Sequence, residues 1–270
     1  HDPTLNKQMY SLLEKTLQEG DIEQRRKRRW GKFFKLLFAL YFLAIIFMIT
    51  AAPILQEQRK FLDTEGNPLQ AYTAVIRIDG EIAANTDASA DRIITALRKA
   101  FSDPKAKAII LRINSGGGSP VQSGYVYDEI NRLKKVHNKK TYAVITDIGA
   151  SGAYYIASAA DEIYADQASL VGSIGVTAAS FGFVGTLDKL GIERRVYTSG
   201  EHKAFLDPFS PQNASESAFW KDVLNTVHVQ FINAVKQGRG DRLQDQPELF
   251  SGLIWSGEKA LPLGLIDGLA

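Results

Sequence analysis

The chain has 270 residues, of which 45% are hydrophobic and 23% are charged, a composition ordinary for globular proteins that excludes the disordered and fibrous classes. A net charge of only +2 gives no support for a nucleic-acid-binding surface, so we expect no nucleic-acid partner. The absence of cysteine excludes a disulfide framework, thiolate metal sites and a cysteine nucleophile. The four histidines are scattered without the spacing of metal ligands, and we expect neither a metal nor another cofactor.

A membrane-spanning helix is predicted near the N-terminus. Residues 36–55 carry no charge and are long enough for a hydrocarbon core of about 30 Å. The alternatives are a buried core helix and a cleaved signal peptide, but a basic cluster at residues 25–35 directly precedes the run and some 35 residues lie before it. The positive-inside rule keeps that cluster in the cytoplasm and places everything after residue 55 across the membrane.

The chain is therefore divided into a cytoplasmic segment at 1–35, the membrane helix at 36–55, a polar linker at 56–71 and a catalytic domain at 72–270. Within the first segment, apolar residues at helical spacing between residues 4 and 29 predict a short amphipathic helix. Gly66-Asn67-Pro68 is a turn signal inside the linker.

From Tyr72 onward, strand-like and helix-like patterns alternate. Strands are predicted at Thr73–Ile78, Ala108–Ile113, Tyr142–Thr146, Glu162–Ala165, Gly172–Val176 and Arg194–Thr198. Helices are predicted at Ala88–Phe101, Val121–Val136, Ser151–Ala160, Val184–Leu190 and Glu216–Gly238, and a strand, a helix and a short strand at Ile254–Ile266. The run Ala108–Ile113 is apolar enough for a strand buried on both faces. The alternation predicts an α/β domain with a mostly parallel sheet.

A glycine-rich turn follows the predicted strand Ala108–Ile113. It reads Asn114-Ser115-Gly116-Gly117-Gly118-Ser119-Pro120, and its glycines allow the backbone to approach a ligand and point N–H groups at it. No Lys-Ser or Lys-Thr pair follows, so it is not a nucleotide-binding P-loop. A tight strand-to-helix turn and an oxyanion hole are both open interpretations.

Ser151 is the candidate nucleophile. It lies in Asp147-Ile148-Gly149-Ala150-Ser151-Gly152-Ala153-Tyr154-Tyr155, where small neighbours allow a sharp turn that leaves the hydroxyl open. The N–H of Gly152 and the start of the following helix could stabilise an oxyanion. A simple helix N-cap is the competing interpretation.

Lys203 is the candidate base. It lies in Ser199-Gly200-Glu201-His202-Lys203-Ala204-Phe205-Leu206-Asp207-Pro208-Phe209, where apolar neighbours could desolvate it in part. A lysine accepts a proton only when neutral, and lowering its pKa from about 10.4 to about 7–8 requires about 3–4 kcal/mol. The competing interpretation is a solvated surface charge, and we interpret His202 as a surface residue.

These three segments together resemble the S49 peptidase family, of the signal peptide peptidase A type. The resemblance extends from Tyr72 to Ala270, and the block around Ser151 is its most specific part. It implies a Clp-protease/crotonase-like α/β domain of repeated β-β-α units behind one transmembrane helix. One departure is Gly116, where related proteins often carry proline.

The resemblance also implies roles for site residues. Ser151 is the nucleophile, Lys203 the general base, and Gly117 and Gly152 the oxyanion donors, while Ser173 orients the lysine. The expected partners are hydrophobic peptide substrates, such as cleaved signal peptides, and further copies of the chain in a ring whose serine and lysine can come from neighbouring subunits. The expected location is the bacterial inner membrane, with a cytoplasmic N-terminus and an extracytoplasmic catalytic domain.

Two other functions fit the same features. An acyl-CoA enzyme on the crotonase-like scaffold would use backbone oxyanion holes and acidic residues and would need neither Ser151 nor Lys203. A non-catalytic membrane scaffold would use the domain only as an assembly platform.

Overall fold

The computed structural model of the protein describes residues 30, 32–50 and 70–270. The chain divides into two compact units, His1–Leu69 and Gln70–Ala270. The amphipathic helix predicted between residues 4 and 29 lies outside the described residues, as does the predicted linker apart from residues 70 and 71.

In the first unit, helix α1 covers Lys32–Thr50 and is long and apolar enough to cross a membrane. Its 19 residues extend about 28 Å at a rise of about 1.5 Å per residue. This agrees with the predicted apolar helix, which starts at residue 36; residues 51–55 of that prediction are not among those described.

The second unit alternates strands and helices as predicted, but the strand predicted at Gly172–Val176 is wrong in its bounds, because the strand found there covers Leu170–Gly172 and ends before Ser173. Its strands are β1 (Tyr72–Asp79), β2 (Ala106–Ser115), β3 (Lys140–Ala150), β4 (Glu162–Ala165), β5 (Leu170–Gly172), β6 (Ile254–Ser256) and β7 (Gly268–Leu269). Its α-helices are α2 (Ala90–Ser102), α3 (Pro120–His137), α4 (Gly152–Ala157), α5 (Val184–Leu190), α6 (Ala214–Arg239) and α7 (Gly257–Ala260). Two 3₁₀ turns, Gly240–Arg242 and Pro247–Phe250, lie between α6 and β6.

The sheet is parallel except at one edge. The strand order is β1-β2-β3-β4-β7, and every neighbouring pair in this order is parallel. The long strand β3 changes partner along its length, pairing with β4 through Tyr142–Ile145 and with β5 through Ile148–Ala150. Because of this change, the end of β5 lies beside the end of β3. Antiparallel β6 then pairs with β5.

One face of the sheet is buried under helices. Along β2, Ile109, Leu111 and Ile113 are fully buried, whereas the alternate residues Ile110 and Arg112 are only half-buried. Helix α3 packs against both α2 and α4; α2 packs against β1 and β2, and α4 packs against β2 and β3. The prediction that β2 is buried on both faces is therefore wrong for the single chain: alternate residues point to opposite faces, and only one face is covered.

The strand predicted at Arg194–Thr198 is wrong as well. These residues are exposed and belong to no strand, because none of the strands in the described part of the chain lies beside them to accept their hydrogen bonds. They are part of residues 177–213, hereafter the arm, in which no residue is buried. Even α5, which lies in the arm as predicted, buries no side chain.

A buried ion pair joins the end of α6 to the C-terminal segment. The Arg239 side chain is fully buried and donates from Nη1 and Nη2 to the two carboxylate oxygens of Asp267, at 2.7 and 3.0 Å. Asp267 also accepts from Ile163 N at 2.7 Å and from Arg242 Nη1 at 3.1 Å. This cluster ties α6 to β4 and to the segment that leads into β7.

We expect Asp267→Asn to lower the free energy of unfolding by about 3–5 kcal/mol, because it leaves the buried Arg239 charge uncompensated. Urea unfolding of the full chain in detergent, followed by tryptophan fluorescence, measures this. The control is Asp87→Asn, which removes an exposed ion pair with Arg92 and should cost less than about 1 kcal/mol. Equal effects of the two substitutions would contradict the prediction.

The same carboxylate predicts acid sensitivity. Burial alone would raise the pKa of Asp267, but the hydrogen bonds from Arg239 and Ile163 outweigh it and hold the pKa below the ordinary value of 3.8. Its contribution to stability is therefore complete above that ordinary pKa and is lost as the pH falls through the lowered folded-state pKa. Asp267→Asn should weaken this part of the pH dependence.

Candidate active site

Ser151 occupies a strained turn between β3 and α4. Its backbone angles are φ 54° and ψ −126°, a conformation that non-glycine residues rarely adopt. Its N–H donates to the Gly172 carbonyl at 2.8 Å, and its carbonyl accepts from Tyr155 N at 2.9 Å. The backbone is thus held on both sides, and the strain is retained at this one residue.

The Ser151 hydroxyl is not used for structure. Ser151 stands at the N-cap position of α4, but its side chain makes no capping hydrogen bond. Nor does the hydroxyl bond any other of the described residues, and the side chain is only partly buried. The interpretation of Ser151 as a simple N-cap is therefore wrong. A sharp strand-to-helix turn that presents a free hydroxyl is the arrangement found at serine nucleophiles.

Gly117 lies against this turn. A Cβ atom built on it would lie 2.6 Å from Gly152 N, 2.8 Å from Ser151 Cβ and 2.9 Å from Ala150 O, and its φ is +99°. Only glycine combines this backbone conformation with so close an approach. Gly117 and Gly152, predicted from separate segments, are thus brought together at Ser151.

The backbone N–H groups beside Ser151 differ in whether they already donate a hydrogen bond. Gly152 N is at the first position of α4, where a helix supplies no internal acceptor, and it bonds no acceptor in the described part of the chain. Gly117 N donates to Ser115 Oγ at 3.1 Å. Gly118 N bonds no described acceptor and lies 3.3 Å from where a Cβ of Gly152 would be. The N–H groups of Gly152 and Gly118 are therefore unengaged, whereas that of Gly117 is already bonded to Ser115 Oγ.

Two of these neighbours were missed from the sequence. In the sequence Gly118 is only one glycine of a run of three, whereas in the structure a Cβ on it would collide with the Ile82 backbone. Ser123 is fully buried on α3, and its Oγ would collide with a Cβ on Gly152. Ser123 lies four residues after Ser119, in the first turn of a helix that starts at Pro120. This spacing is the one signal in the sequence that could have placed Ser123 on the buried face of the helix.

Ser173 lies beside Ser151. The parallel register pairs Ala150 at the end of β3 with Gly172 at the end of β5, so Ser151 and Ser173 are the residues that directly follow this pair on the two neighbouring strands. Ser173 also has a positive φ, of 51°, and its N–H donates to Leu253 O at 2.8 Å. The two serines are 22 positions apart in the sequence, and the pairing of β3 with β5 brings them together.

Lys203 is not brought to Ser151 within the single chain. It lies in a turn of the arm, with its N–H donating to Gly200 O at 3.2 Å, and its side chain is exposed. Its ammonium contacts no acceptor among the residues described. The desolvation expected from the neighbouring apolar residues is not found in one copy, because Phe205 turns toward α6 and packs on Phe219 and Trp220.

No cluster of three or more histidine and acidic side chains capable of holding a metal ion occurs within residues 30, 32–50 and 70–270. Near the carboxyl ends of β2 and β3, Asn114 Nδ2 donates a hydrogen bond to Asp147 Oδ2 at 2.8 Å. This bond holds the glycine-rich turn and the Ser151 turn in register.

Comparison with known proteins identifies relatives of this chain. The family model described as "Peptidase family S49" matches residues 133–270, just over half of the chain. A protease of the SohB type from Buchnera aphidicola is 32% identical over 213 residues, which are 78% of this chain and 67% of the relative. A protein named as a signal peptide peptidase, SppA, from Enterococcus faecium is 31% identical over 174 residues, 64% of this chain and 50% of the relative.

Another relative has a different name. The Na(+)/H(+) antiporter NhaA of Brucella melitensis is 51% identical over 173 residues, which are 64% of this chain but only 24% of that protein. The chain thus spans about a quarter of this relative and half of the Enterococcus protein.

Proposed function

Because this chain belongs to peptidase family S49, we propose that it is a membrane-anchored serine endopeptidase in which Ser151 is the nucleophile and Lys203 the general base. The observation that carries the proposal is the Ser151 turn. Its hydroxyl is free in a strained strand-to-helix turn, with Gly117 packed against it and the N–H of Gly152 unengaged. Strain of this kind is retained where surrounding structure enforces it, most often at active sites.

The reaction proceeds through an acyl-enzyme. The neutral Lys203 amine accepts the Ser151 proton as Oγ attacks the peptide carbonyl carbon, and the carbonyl oxygen takes the displaced electron pair. The C–N bond then breaks, and the Lys203 ammonium returns the proton to the leaving amine. Water, activated by the same amine, attacks the ester carbon and releases the acid, which restores Ser151.

The oxyanion is stabilised by backbone N–H groups. Gly152 donates from the start of α4, and the Gly117–Gly118 segment supplies the second donor. Gly118 N is free for this role as it stands, whereas Gly117 N must leave Ser115 Oγ. Ser173, one register position beyond the β3–β5 pairing, hydrogen-bonds the lysine amine and orients it toward Ser151.

The lysine of each site is supplied by a neighbouring copy of the chain. Two contacts of α6 support this: Glu216 bonds His202, next to Lys203, and His228 bonds the Ile174 carbonyl, next to Ser173. They are 12 residues apart on the helix, or about 18 Å along its axis, which is longer than a lysine side chain. An exposed Lys203 on an arm without buried residues fits a base that is delivered to another subunit, in a homo-oligomeric ring.

The substrates are extended, hydrophobic peptides such as cleaved signal peptides. Helix α1 anchors the enzyme in a bacterial inner membrane, where such peptides are left after export. The basic residues before α1 stay in the cytoplasm, which places the catalytic domain outside it. The Enterococcus relative, named as a signal peptide peptidase, supports this class of substrate.

The proposal is tested with the full chain in detergent, assayed on a panel of hydrophobic peptides and with a fluorophosphonate probe. Ser151→Ala should abolish labelling, and Ser151→Ala and Lys203→Ala should each lower kcat by at least about 10³-fold with normal oligomeric state and stability. Equal peptidase activity in the wild type, Ser151→Ala and Lys203→Ala would contradict the proposed Ser151–Lys203 dyad. Hydrolysis of acyl-CoA thioesters that persists in Ser151→Ala would favour an acyl-CoA enzyme instead.

A further inference from the structure

The turn that carries Lys203 is attached to α6 on both sides of the lysine. On one side, His202 Nδ1 lies 3.0 Å from Glu216 Oε1. On the other, the Phe205 ring meets Phe219 and Trp220 edge-on, with ring centroids 6.2 and 6.0 Å apart. The backbone of the lysine is therefore held, while its side chain stays exposed.

The end of α6 that receives these contacts is itself well defined. Asn213 caps the helix, its side-chain oxygen accepting from Ser215 N at 2.9 Å and from Glu216 N at 3.4 Å. Glu216 is in the first turn, and its side chain is only 22% exposed. A capped first turn gives His202 a fixed partner.

Farther along, the same helix contacts the Ser151 side of the site. His228 bonds the Ile174 carbonyl beside Ser173, and Phe231 stacks on Tyr155 of α4 with ring centroids 4.9 Å apart. One helix therefore sets the position of the lysine turn relative to the fold that carries the serine. In a ring, this defines where each copy presents its lysine to the next.

We propose that His202 and Glu216 are positioning residues, which hold the Lys203 turn against α6 so that the amine reaches the Ser151 site of the neighbouring copy. The inference rests on the proposed function and adds a part to it. Neither residue touches the substrate, and both act through Lys203. A misplaced catalytic group loses much of its rate advantage, so loosening this contact should lower kcat more than it changes KM.

The contact also depends on pH. The charged groups around His202 are Glu216 on α6 and the residues on either side of His202 in the sequence, Glu201 and Lys203. His202 and Glu216 also line a cavity of about 290 Å³ together with Phe205, Ser215 and Phe219. The hydrogen bond to Glu216, foremost, raises the pKa of His202. The attachment is therefore charge-assisted below the folded-state pKa of His202 and weakens as the pH rises through it.

The test compares His202→Ala, Glu216→Ala, the double variant and His202→Asn, all in the full chain, with kcat and KM measured on one hydrophobic peptide from pH 6 to 10. Each single alanine variant should lower kcat about 10-fold at pH 6 with KM within about twofold, and the double variant should be no slower than either. His202→Asn places an amide nitrogen near the position of Nδ1 and should recover most of the loss. The ratio of wild-type to His202→Asn activity should fall as the pH rises.

Glu193→Ala is the matched control, because Glu193 forms an exposed ion pair with Arg195 on the same arm, at 2.6 Å. It should leave kcat within about twofold. The positioning role is overturned if His202→Ala and Glu216→Ala also stay within twofold while Lys203→Ala is inactive. Full activity of Lys203→Ala would instead contradict the proposed function. Failure of the positioning role and failure of the proposed function are therefore distinguishable.

Discussion

Co-expression of Ser151→Ala with Lys203→Ala should restore peptidase activity, although each variant alone is inactive. If the serine of one copy works with the lysine of the next, a site is functional only where a Lys203→Ala copy supplies the serine and a Ser151→Ala copy supplies the lysine. Random assembly at equal expression gives this arrangement at about one site in four. We therefore expect about a quarter of wild-type activity per assembled chain.

The structural reason is the exposure of Lys203 on the arm. Within one chain its ammonium contacts nothing described, and Ser151 has its own neighbours, Gly117, Gly152 and Ser173. Because the single copy brings no base into contact with Ser151 among the described residues, we propose that a second copy supplies it.

The measurement is the rate of peptide hydrolysis by co-purified mixed assemblies that carry two different affinity tags. The control pairs Ser151→Ala with the double variant Ser151→Ala/Lys203→Ala, which retains no serine and should stay inactive. If the mixed assemblies of single variants are as inactive as this control, serine and lysine must come from the same chain.

Gly117→Ala should lower kcat by about 10²–10³-fold, because the added Cβ displaces the backbone N–H groups beside Ser151 from the oxyanion position. Its Cβ would lie within 2.9 Å of Gly152 N, Ser151 Cβ and Ala150 O, so the glycine-rich turn and the nucleophile turn must move apart. Positive φ adds strain of about 1–3 kcal/mol to the folded state. We therefore expect a lower free energy of unfolding as well as a slower reaction.

Gly116→Ala is the control one position earlier. A Cβ there meets only Ile148 Cδ1, at 3.9 Å, which is ordinary contact, and its φ is not in the left-handed region. Activity within about twofold of wild type is expected, which also fits the tolerance of this position for proline implied by the family resemblance. Full activity of Gly117→Ala, measured with the same peptide and by fluorophosphonate labelling, would contradict the proposed site geometry.

Local patterns in the sequence predicted most of the secondary structure. The helix Val184–Leu190 and the strand Glu162–Ala165 match the structure end to end, because periodicity and turn residues are local properties. The strand predicted at Arg194–Thr198 failed for a reason that no local pattern contains. Its β-forming residues have no neighbouring strand within residues 70–270, and a strand persists only when paired.

The α/β architecture of the Clp-protease/crotonase type and the family were also accessible from the sequence, through the block around Ser151 and the glycine-rich turn. The sequence alone could not decide between a capping and a free Ser151 hydroxyl. The structure decides this, because the turn has φ 54° and the side chain makes no capping bond. The roles that the family resemblance implies for Lys203, as general base, and for Ser173, as the residue that orients it, stay predictions.

The sequence by itself determined the alternation of strands and helices, the apolar helix near the N-terminus and the residue types of the candidate site, because each depends on a short stretch of chain. The tertiary structure decided which of these residues meet. Ser173 reaches Ser151 only because β3 exchanges β4 for β5, and Gly117 reaches Gly152 only because β2 and β3 are parallel neighbours whose carboxyl ends share one edge of the sheet. Such meetings depend on the pairing of strands distant in sequence. Lys203 lies on the arm, outside those strands, and its side chain is exposed.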